Sequence, residues 1–352
     1  MFTPVTPHLS HHRTFFDLRS RLSIRPGEHS DDGDTVANAL SGNFFHLYLC
    51  LGSNRFSDQS YSQKRKYRRY LFTELVKQTW NIWAVSPLFG LDCKDKVKLK
   101  QCAKRLRESV ACSLSEEDVS YDAKFTPLED LVNHPADPPA LEVFHSTKDA
   151  EDDVKCIYRG IFLSWGERCQ AEGDTVKLPI LLSRGGQTVT RAVHSTLCQT
   201  FDCLITAMPA SQEDLMWLSA IILNSSEKVE KKKSKASNPE LILEYHIPGL
   251  PPSDLIKVKL PLASVLTLWS NMIKLKQVQK FFECIRIQML DNSHLELGFC
   301  LLDKISLPSL TIQANKMKAT NIDAMDRVLW FFQEKALIYT PSLIPAVNNE
   351  QD

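Results

Sequence analysis

Ile256-Lys257-Val258-Lys259-Leu260-Pro261-Leu262-Ala263-Ser264-Val265-Leu266-Thr267-Leu268-Trp269 changes period in its middle. Up to Leu260 the apolar residues alternate with lysines, so Lys257 and Lys259 point away from the face made by Ile256, Val258 and Leu260, as in a half-buried strand. Beyond Pro261 the stripe Leu262, Val265, Trp269 and Met272 recurs at intervals of three and four, the period of a helix. Proline has a fixed φ and no N–H to satisfy, so Pro261 suits the first turn of that helix. A one-sided strand running directly into an amphipathic helix points to an α+β fold, with helices packed on mainly antiparallel sheet.

The pattern extends in both directions. Leu241 to Ile247 reads as another strand. Val278, Phe282, Ile285 and Met289 form the stripe of a further helix. Leu295, Leu297, Phe299 and Leu301 alternate strictly, which predicts a strand over 294–301. Ile305 to Ile312 continues the sheet, with Pro308 marking an edge or a bulge because proline cannot donate to a ladder. Ile322, Met325, Leu329, Phe332 and Ala336 give a last helix. These elements define a C-terminal lobe at 240–340, followed by a flexible C-terminus at 341–352. The lysine-rich stretch 225–239 precedes the lobe and reads as a connector.

An N-terminal lobe is expected at 64–224. Phe72, Val76, Trp80 and Trp83 stand at helical spacing, so a helix is predicted through Glu74 and Lys77, ending at Ser86-Pro87. A second helix buries Leu99, Cys102, Leu106 and Val110. Strands follow at Val119–Phe125, Leu141–His145, Val154–Trp165 and Val176–Leu182. Val189, Val193, Leu197 and Phe201 form a helical stripe after Gly185-Gly186, and Cys203 to Met208 has the length of a short strand. Ser211-Gln212-Glu213-Asp214 is a capping box opening a helix that buries Leu215, Leu218, Ile221 and Ile222. Residues 1–63 are rich in Pro, Gly, Ser and Asp and lack a sustained period, so they read as a mostly disordered tail, although Phe44 to Cys50 could be a docked strand.

Across 352 residues, 42 Lys+Arg balance 42 Asp+Glu. That removes the global basic excess of an independent electrostatic DNA binder and leaves only local patches. No apolar run approaches the ~20 residues of a membrane-spanning helix, and Met1 to Arg25 interleaves prolines, histidines and arginines instead of forming a secretory signal. The 10 cysteines include no C-x-x-C pair, and several sit in apolar runs where a thiol packs as a small hydrophobe. A reduced intracellular protein is expected.

Catalytic and cofactor signatures are absent from the sequence. It contains no phosphate-binding glycine loop of either common type and no G-x-S-x-G elbow. His194 and Ser195 adjoin in sequence but diverge by about 100° on a helix. Cys198 and Cys203 read as core residues, and His8, His11 and His12 lack the acidic or thiolate partners of a metal site. No catalytic residue, cofactor or metal is assigned. Lys64, Arg65, Lys66, Arg68 and Arg69 surround Tyr67, a cluster suited to nuclear import or to contact with a phosphate backbone.

The stretch Lys77-Gln78-Thr79-Trp80-Asn81-Ile82-Trp83-Ala84-Val85-Ser86-Pro87-Leu88-Phe89 resembles the opening block of the centromere protein L family. Similarity continues through Leu178-Pro179-Ile180-Leu181-Leu182, Thr200-Phe201-Asp202-Cys203 and Asp214-Leu215-Met216-Trp217-Leu218-Ser219-Ala220, and it covers roughly 65–340. The tail before 64 and the 225–239 stretch depart from the family pattern. The resemblance implies curved antiparallel sheets carrying helices, and a non-enzymatic scaffold of the constitutive inner kinetochore, in the nucleus at the centromere. It also implies pairing with centromere protein N through the C-terminal half. That pair would link centromeric-histone (CENP-A) nucleosomes to centromere protein C and other inner-kinetochore subunits.

A sheet edge in the C-terminal lobe is the expected partner interface, because an open edge invites strand addition. Tyr245, Ile247, Ile305, Leu307, Leu310 and Ile312 are its candidate residues, with the 305–312 segment leading. Two alternatives stay open from the residues alone: a nuclear DNA-binding protein using a local basic patch, or an enzyme of unfamiliar type.

Overall fold

The computed structural model describes residues 74–114, 120–129, 131–132, 137–148, 154–165, 175–226, 238–272 and 278–339. The tail, the 64–69 cluster, Phe44 to Cys50, most of the connector and the C-terminus lie outside the described residues.

Trp80–Val85 is a strand (β1) in the middle of the main sheet, where the sequence predicts a helix. Among the described residues of this segment only Glu74 and Leu75 are helical, and Lys77 then adopts a left-handed φ of 65° that ends the turn. The spacing of Phe72, Val76, Trp80 and Trp83 matches a helix, but Trp80, Ile82 and Ala84, two apart, are the fully buried residues of β1. The tertiary context decides between the two periods. β1 pairs antiparallel with strands on both flanks, which satisfy its backbone groups as well as a helix would.

Downstream come Leu88–Phe89 (β2), the helix Lys96–Leu114 (α1), and the strands Ser120–Leu128 (β3), Ala140–Lys148 (β4), Val154–Leu163 (β5), Thr175–Val176 (β6) and Ile180–Gly185 (β7). Gln187–Phe201 (α2), Ile205–Ala207 (β8) and Gln212–Ser226 (α3) complete the part before the connector. The part after it contains Glu240–His246 (β9), Leu255–Pro261 (β10), Leu262–Met272 (α4), Val278–Ser293 (α5), Leu301–Leu307 (β11), Leu310–Gln313 (β12), Lys316–Ala319 (β13) and Ile322–Tyr339 (α6).

An 11-stranded sheet joins both parts in the order β10-β9-β11-β12-β13-β1-β7-β5-β4-β3, with β8 also on β1; β2 and β6 form a separate pair. Every pairing is antiparallel. The α+β class and the antiparallel sheet agree with the sequence reading, and the capping box is present. The Asp214 carboxylate accepts from the Ser211 N–H at 2.6 Å, while the Asp214 N–H donates to Ser211 Oγ at 3.2 Å.

Two further elements differ from expectation. Residues 294–301 are not a strand: α5 runs to Ser293, His294 takes a φ of 53°, and Leu297–Phe299 form a 3-10 turn. The Glu296 carboxylate caps that turn by accepting from the Gly298 N–H at 2.7 Å, and Phe299 is left 82% exposed. Local turn chemistry thus overrides the alternation, and β11 begins at Leu301. Pro308 lies at neither an edge nor a bulge. With Ser309 it makes the two-residue turn between β11 and β12, where Leu307 faces Leu310, and its fixed φ suits a turn corner.

The helices cover opposite faces of the sheet on its two flanks. α1 and α2 pack through Leu106, Val110, Val193 and Leu197 against Val143, Phe162 and Leu181 of β4, β5 and β7. On the other flank Leu243, Ile305, Ile312 and Met317 are buried, and α3, α4 and α6 pack against β11, β9 and β13. The register puts Trp83 with Leu181 and Ile82 with Leu182 on opposite sides. Trp83 meets the α2 residue His194, whereas α6 contacts β1 and β7 from the other side. The helical cover therefore changes sides at β1 and β7, where Ile180 to Ser183 are four consecutive buried residues. Beyond this joint each flank has one face that no helix among the described residues covers.

Candidate functional site

The predicted edge residues lie inside the sheet. Ile305 and Leu307 are on β11, between β9 and β12; Leu310 and Ile312 are on β12, between β11 and β13. All four are buried beneath the helices, as is Tyr245 on β9, and Ile247 is half-buried just past the end of β9. The 305–312 segment is therefore not an edge, because its proline belongs to a hairpin turn. Among the described residues the outermost strands are β10 and β3, each with a single neighbour. Lys64, Arg65, Lys66, Arg68 and Arg69 lie outside the described residues.

Polar groups buried in the first flank form a packing network. The Trp83 indole N–H donates to Ser183 Oγ at 2.8 Å, and the Tyr158 hydroxyl meets His194 Nε2 at 3.1 Å. Trp83 and His194 rings meet edge-to-face at 4.6 Å. Burial lowers the His194 pKa from 6.5 to about 4 and raises that of Tyr158, so both are neutral at physiological pH.

Cys198 and Cys203 meet at the end of α2. Asp202 turns left-handed there, and the Cys203 N–H donates to the Cys198 carbonyl at 3.2 Å, which closes the helix. The Cys203 thiol donates to the Leu197 carbonyl at 3.8 Å; the proximity of the two thiols lowers the Cys198 pKa and, together with burial, raises that of Cys203. These thiols belong to a helix stop. Among the described residues no group of three or more His, Cys, Asp or Glu is arranged to hold a metal ion, and no helix is long and apolar enough to cross a membrane.

The uncovered face of the second flank carries the densest charge. Register aligns Lys257, Glu244, Lys304, Gln313 and Lys316 in one row from β10 to β13, continuing to Asn81 on β1. A second row runs Lys259, Ile242, Ser306, Thr311 and Lys318. At ~4.8 Å between strands, the lysines of each row span roughly 20 Å. Glu244 is nearly buried, with Lys304 Nζ at 3.0 Å and Lys257 Nζ at 3.4 Å. Burial alone would raise its pKa, but the two lysines outweigh that and hold it below the usual range. Five lysines against Glu240, Glu244 and the neighbouring Asp303 leave this face basic.

Sequence reading places Lys257 and Lys259 on a solvent face. Their company with Lys304, Lys316 and Lys318 depends on strand pairings between distant segments. The Lys316-x-Lys318 alternation was the one local signal.

Among the described residues the chain is thus an α+β protein built on one continuous antiparallel sheet with two outer strands. The family model of centromere protein L matches residues 74–337, from the turn before β1 to the last turns of α6. The chain belongs to the centromere protein L family. It is 22% identical to centromere protein L of Xenopus tropicalis over 292 residues, covering 75% of this chain and 79% of the relative. It is also 22% identical to centromere protein L of Danio rerio over 297 residues, covering 76% and 77%. The family is structural, not catalytic, and membership implies an inner-kinetochore role at the centromere, with partners from that assembly.

Proposed function

We propose that the chain is a non-enzymatic scaffold of the constitutive inner kinetochore that pairs with centromere protein N and helps to link CENP-A nucleosomes to centromere protein C and its neighbours. The observation that carries the reading is the family match over 74–337, which spans the sheet from β1 to β13 and the helices packed on it. Pairing is assigned to the outer edge of β10. Among the described residues that strand has β9 on one side only, and a partner strand added to it would satisfy its outward N–H and C=O groups. The lysine face beside β10 would then lie next to the partner and attract nucleosomal DNA through its phosphates. The Lys64 to Arg69 cluster would add nuclear import or further backbone contact.

The test is proline substitution on β10. N–H groups alternate in direction along an antiparallel strand, so one of the adjacent residues Ile256 and Lys257 points its N–H outward. Ile256→Pro and Lys257→Pro are made separately, and the variant that keeps its fold by circular dichroism is the outward one. It should lose co-purification with centromere protein N. Native affinity in that folded variant would move the interface off this edge.

A further inference from the structure

The uncovered face of the first flank carries a cleft of about 370 Å³, on the side of the sheet opposite α1 and α2. Register sets Lys124, Phe144, Arg159 and Arg184 in one row across β3, β4, β5 and β7. All four line the cleft, together with Glu142 and Cys156. The cations of the row are not equivalent. Arg159 is held by its own acids, its Nε 2.6 Å from Glu142 Oε1 and its Nη2 3.0 Å from Glu74 Oε2. Arg184 stacks over the buried Trp80 ring, 5.8 Å from its centroid, and donates to Gln78 Oε1. Neither Arg184 nor Lys124 has a carboxylate partner within ion-pair reach among the described residues, and both are exposed. The half-buried ring of Phe144 lies between them in the row.

We propose that this cleft docks an extended acidic segment of a partner protein, with a carboxylate on Arg184, an apolar side chain on Phe144 and a second carboxylate on Lys124. Three strand spacings separate Lys124 from Arg184, about 14 Å. An extended chain covers that distance in four residues and points residues i, i+2 and i+4 to one side. The pattern recognised is therefore acid, any residue, apolar, any residue, acid. Arg184 is preorganised for a carboxylate by Trp80 and Gln78, so ordering it costs little on binding. The chemistry disfavours a nucleic-acid strand. Glu142, which lines the cleft, and Glu74, paired with Arg159, would oppose a continuous row of phosphates, whereas a peptide presents its charges only at the two ends. The site lies on the flank away from β10 and does not depend on pairing there.

The test uses the purified full chain and a fluorescein-labelled peptide, Gly-Ser-Glu-Thr-Leu-Thr-Glu-Ser-Gly, read by anisotropy at low salt. Saturable binding below about 1 mM is expected, weakening roughly tenfold when both glutamates of the peptide are glutamine. Arg184→Gln should weaken binding by a similar factor and Lys124→Gln by several-fold. Lys316→Gln, on the other face, should leave it unchanged. Bound peptide should also slow alkylation of Cys156, followed by mass spectrometry of its tryptic peptide. Absence of saturable binding would overturn the proposal. So would equal affinity for the glutamine peptide, or unchanged affinity in both Arg184→Gln and Lys124→Gln. Displacement of the peptide by duplex DNA, with the displacement lost in Arg184→Gln, would reassign the cleft to phosphate.

Discussion

His194 should make the protein acid-sensitive by an amount that can be calculated. The ring is buried between Trp83 and Tyr158, and burial lowers its pKa from 6.5 to about 4. Between those values the unfolded chain binds a proton that the folded chain refuses, so unfolding gains free energy as the pH falls. The contribution is complete above pH 6.5 and lost progressively down to pH 4, with a full range of about 3 kcal/mol. At pH 5 the same pKa values give a loss of about 2 kcal/mol relative to pH 7.5. His194→Gln has no titrating ring. It will cost stability at every pH through the lost Tyr158 contact, but its decline with acid should be shallower. Urea unfolding of both proteins at pH 7.5 and pH 5 measures this. The gap between them should narrow by about 2 kcal/mol on acidification. Buried His145 and the paired carboxylates are common to both proteins and cancel. Parallel pH dependences would show that His194 titrates normally and that the packing around it is looser than described.

Three further substitutions test the packing. Lys335 on α6 reaches the Asp214 carboxylate and donates to the Pro209 carbonyl at 2.8 Å, so Lys335→Met should cost about 3 kcal/mol in denaturant unfolding by leaving a mostly buried acid underpaired. Ile312→Glu should prevent folding, whereas Thr311→Glu, beside Lys318 on the uncovered face, should lie within about 0.5 kcal/mol of the parent; soluble yield and thermal melting read both.

Elements whose period and end signals agree were legible from the sequence. β10 and α4 are the clearest case: alternation stops at Pro261 and the helix begins at Leu262. The stripe of α2 and the box at Ser211 also needed only local chemistry. β1 was misread because its two tryptophans are three apart and carry hydrophobicity at both periods. No local signal tells that three other strands will pair with it. The 294–301 segment failed in the opposite sense, because alternation cannot register a carboxylate capping a turn. For the candidate surface, sequence placed the strands of the second part but not the sheet's edge. An edge is a property of strand order, and Pro308, the residue used to infer it, has the same backbone needs in a hairpin turn.

The change of covered face at β1 and β7 gives a physical reason for a scaffold built this way. A sheet with helices on one side throughout would present a single open face, and every partner would compete for it. Here α1 and α2 cover one side of the β3-to-β7 flank, and α3, α4 and α6 cover the other side of the β9-to-β13 flank, so the two open faces point in opposite directions. The joint must be apolar on both sides to permit this, which is why Ile180 to Ser183 are buried without alternation while β13 alternates strictly between exposed and buried residues. Backbone hydrogen bonds run through the joint without a break, from β13 to β1 and from β1 to β7. Partners held on the two faces, as proposed, would be fixed relative to one another by one ladder and would need no flexible link between them. Transmitting position between bound partners is the task of a scaffold, and in the proposed role that task would fall mainly on β1 and β7.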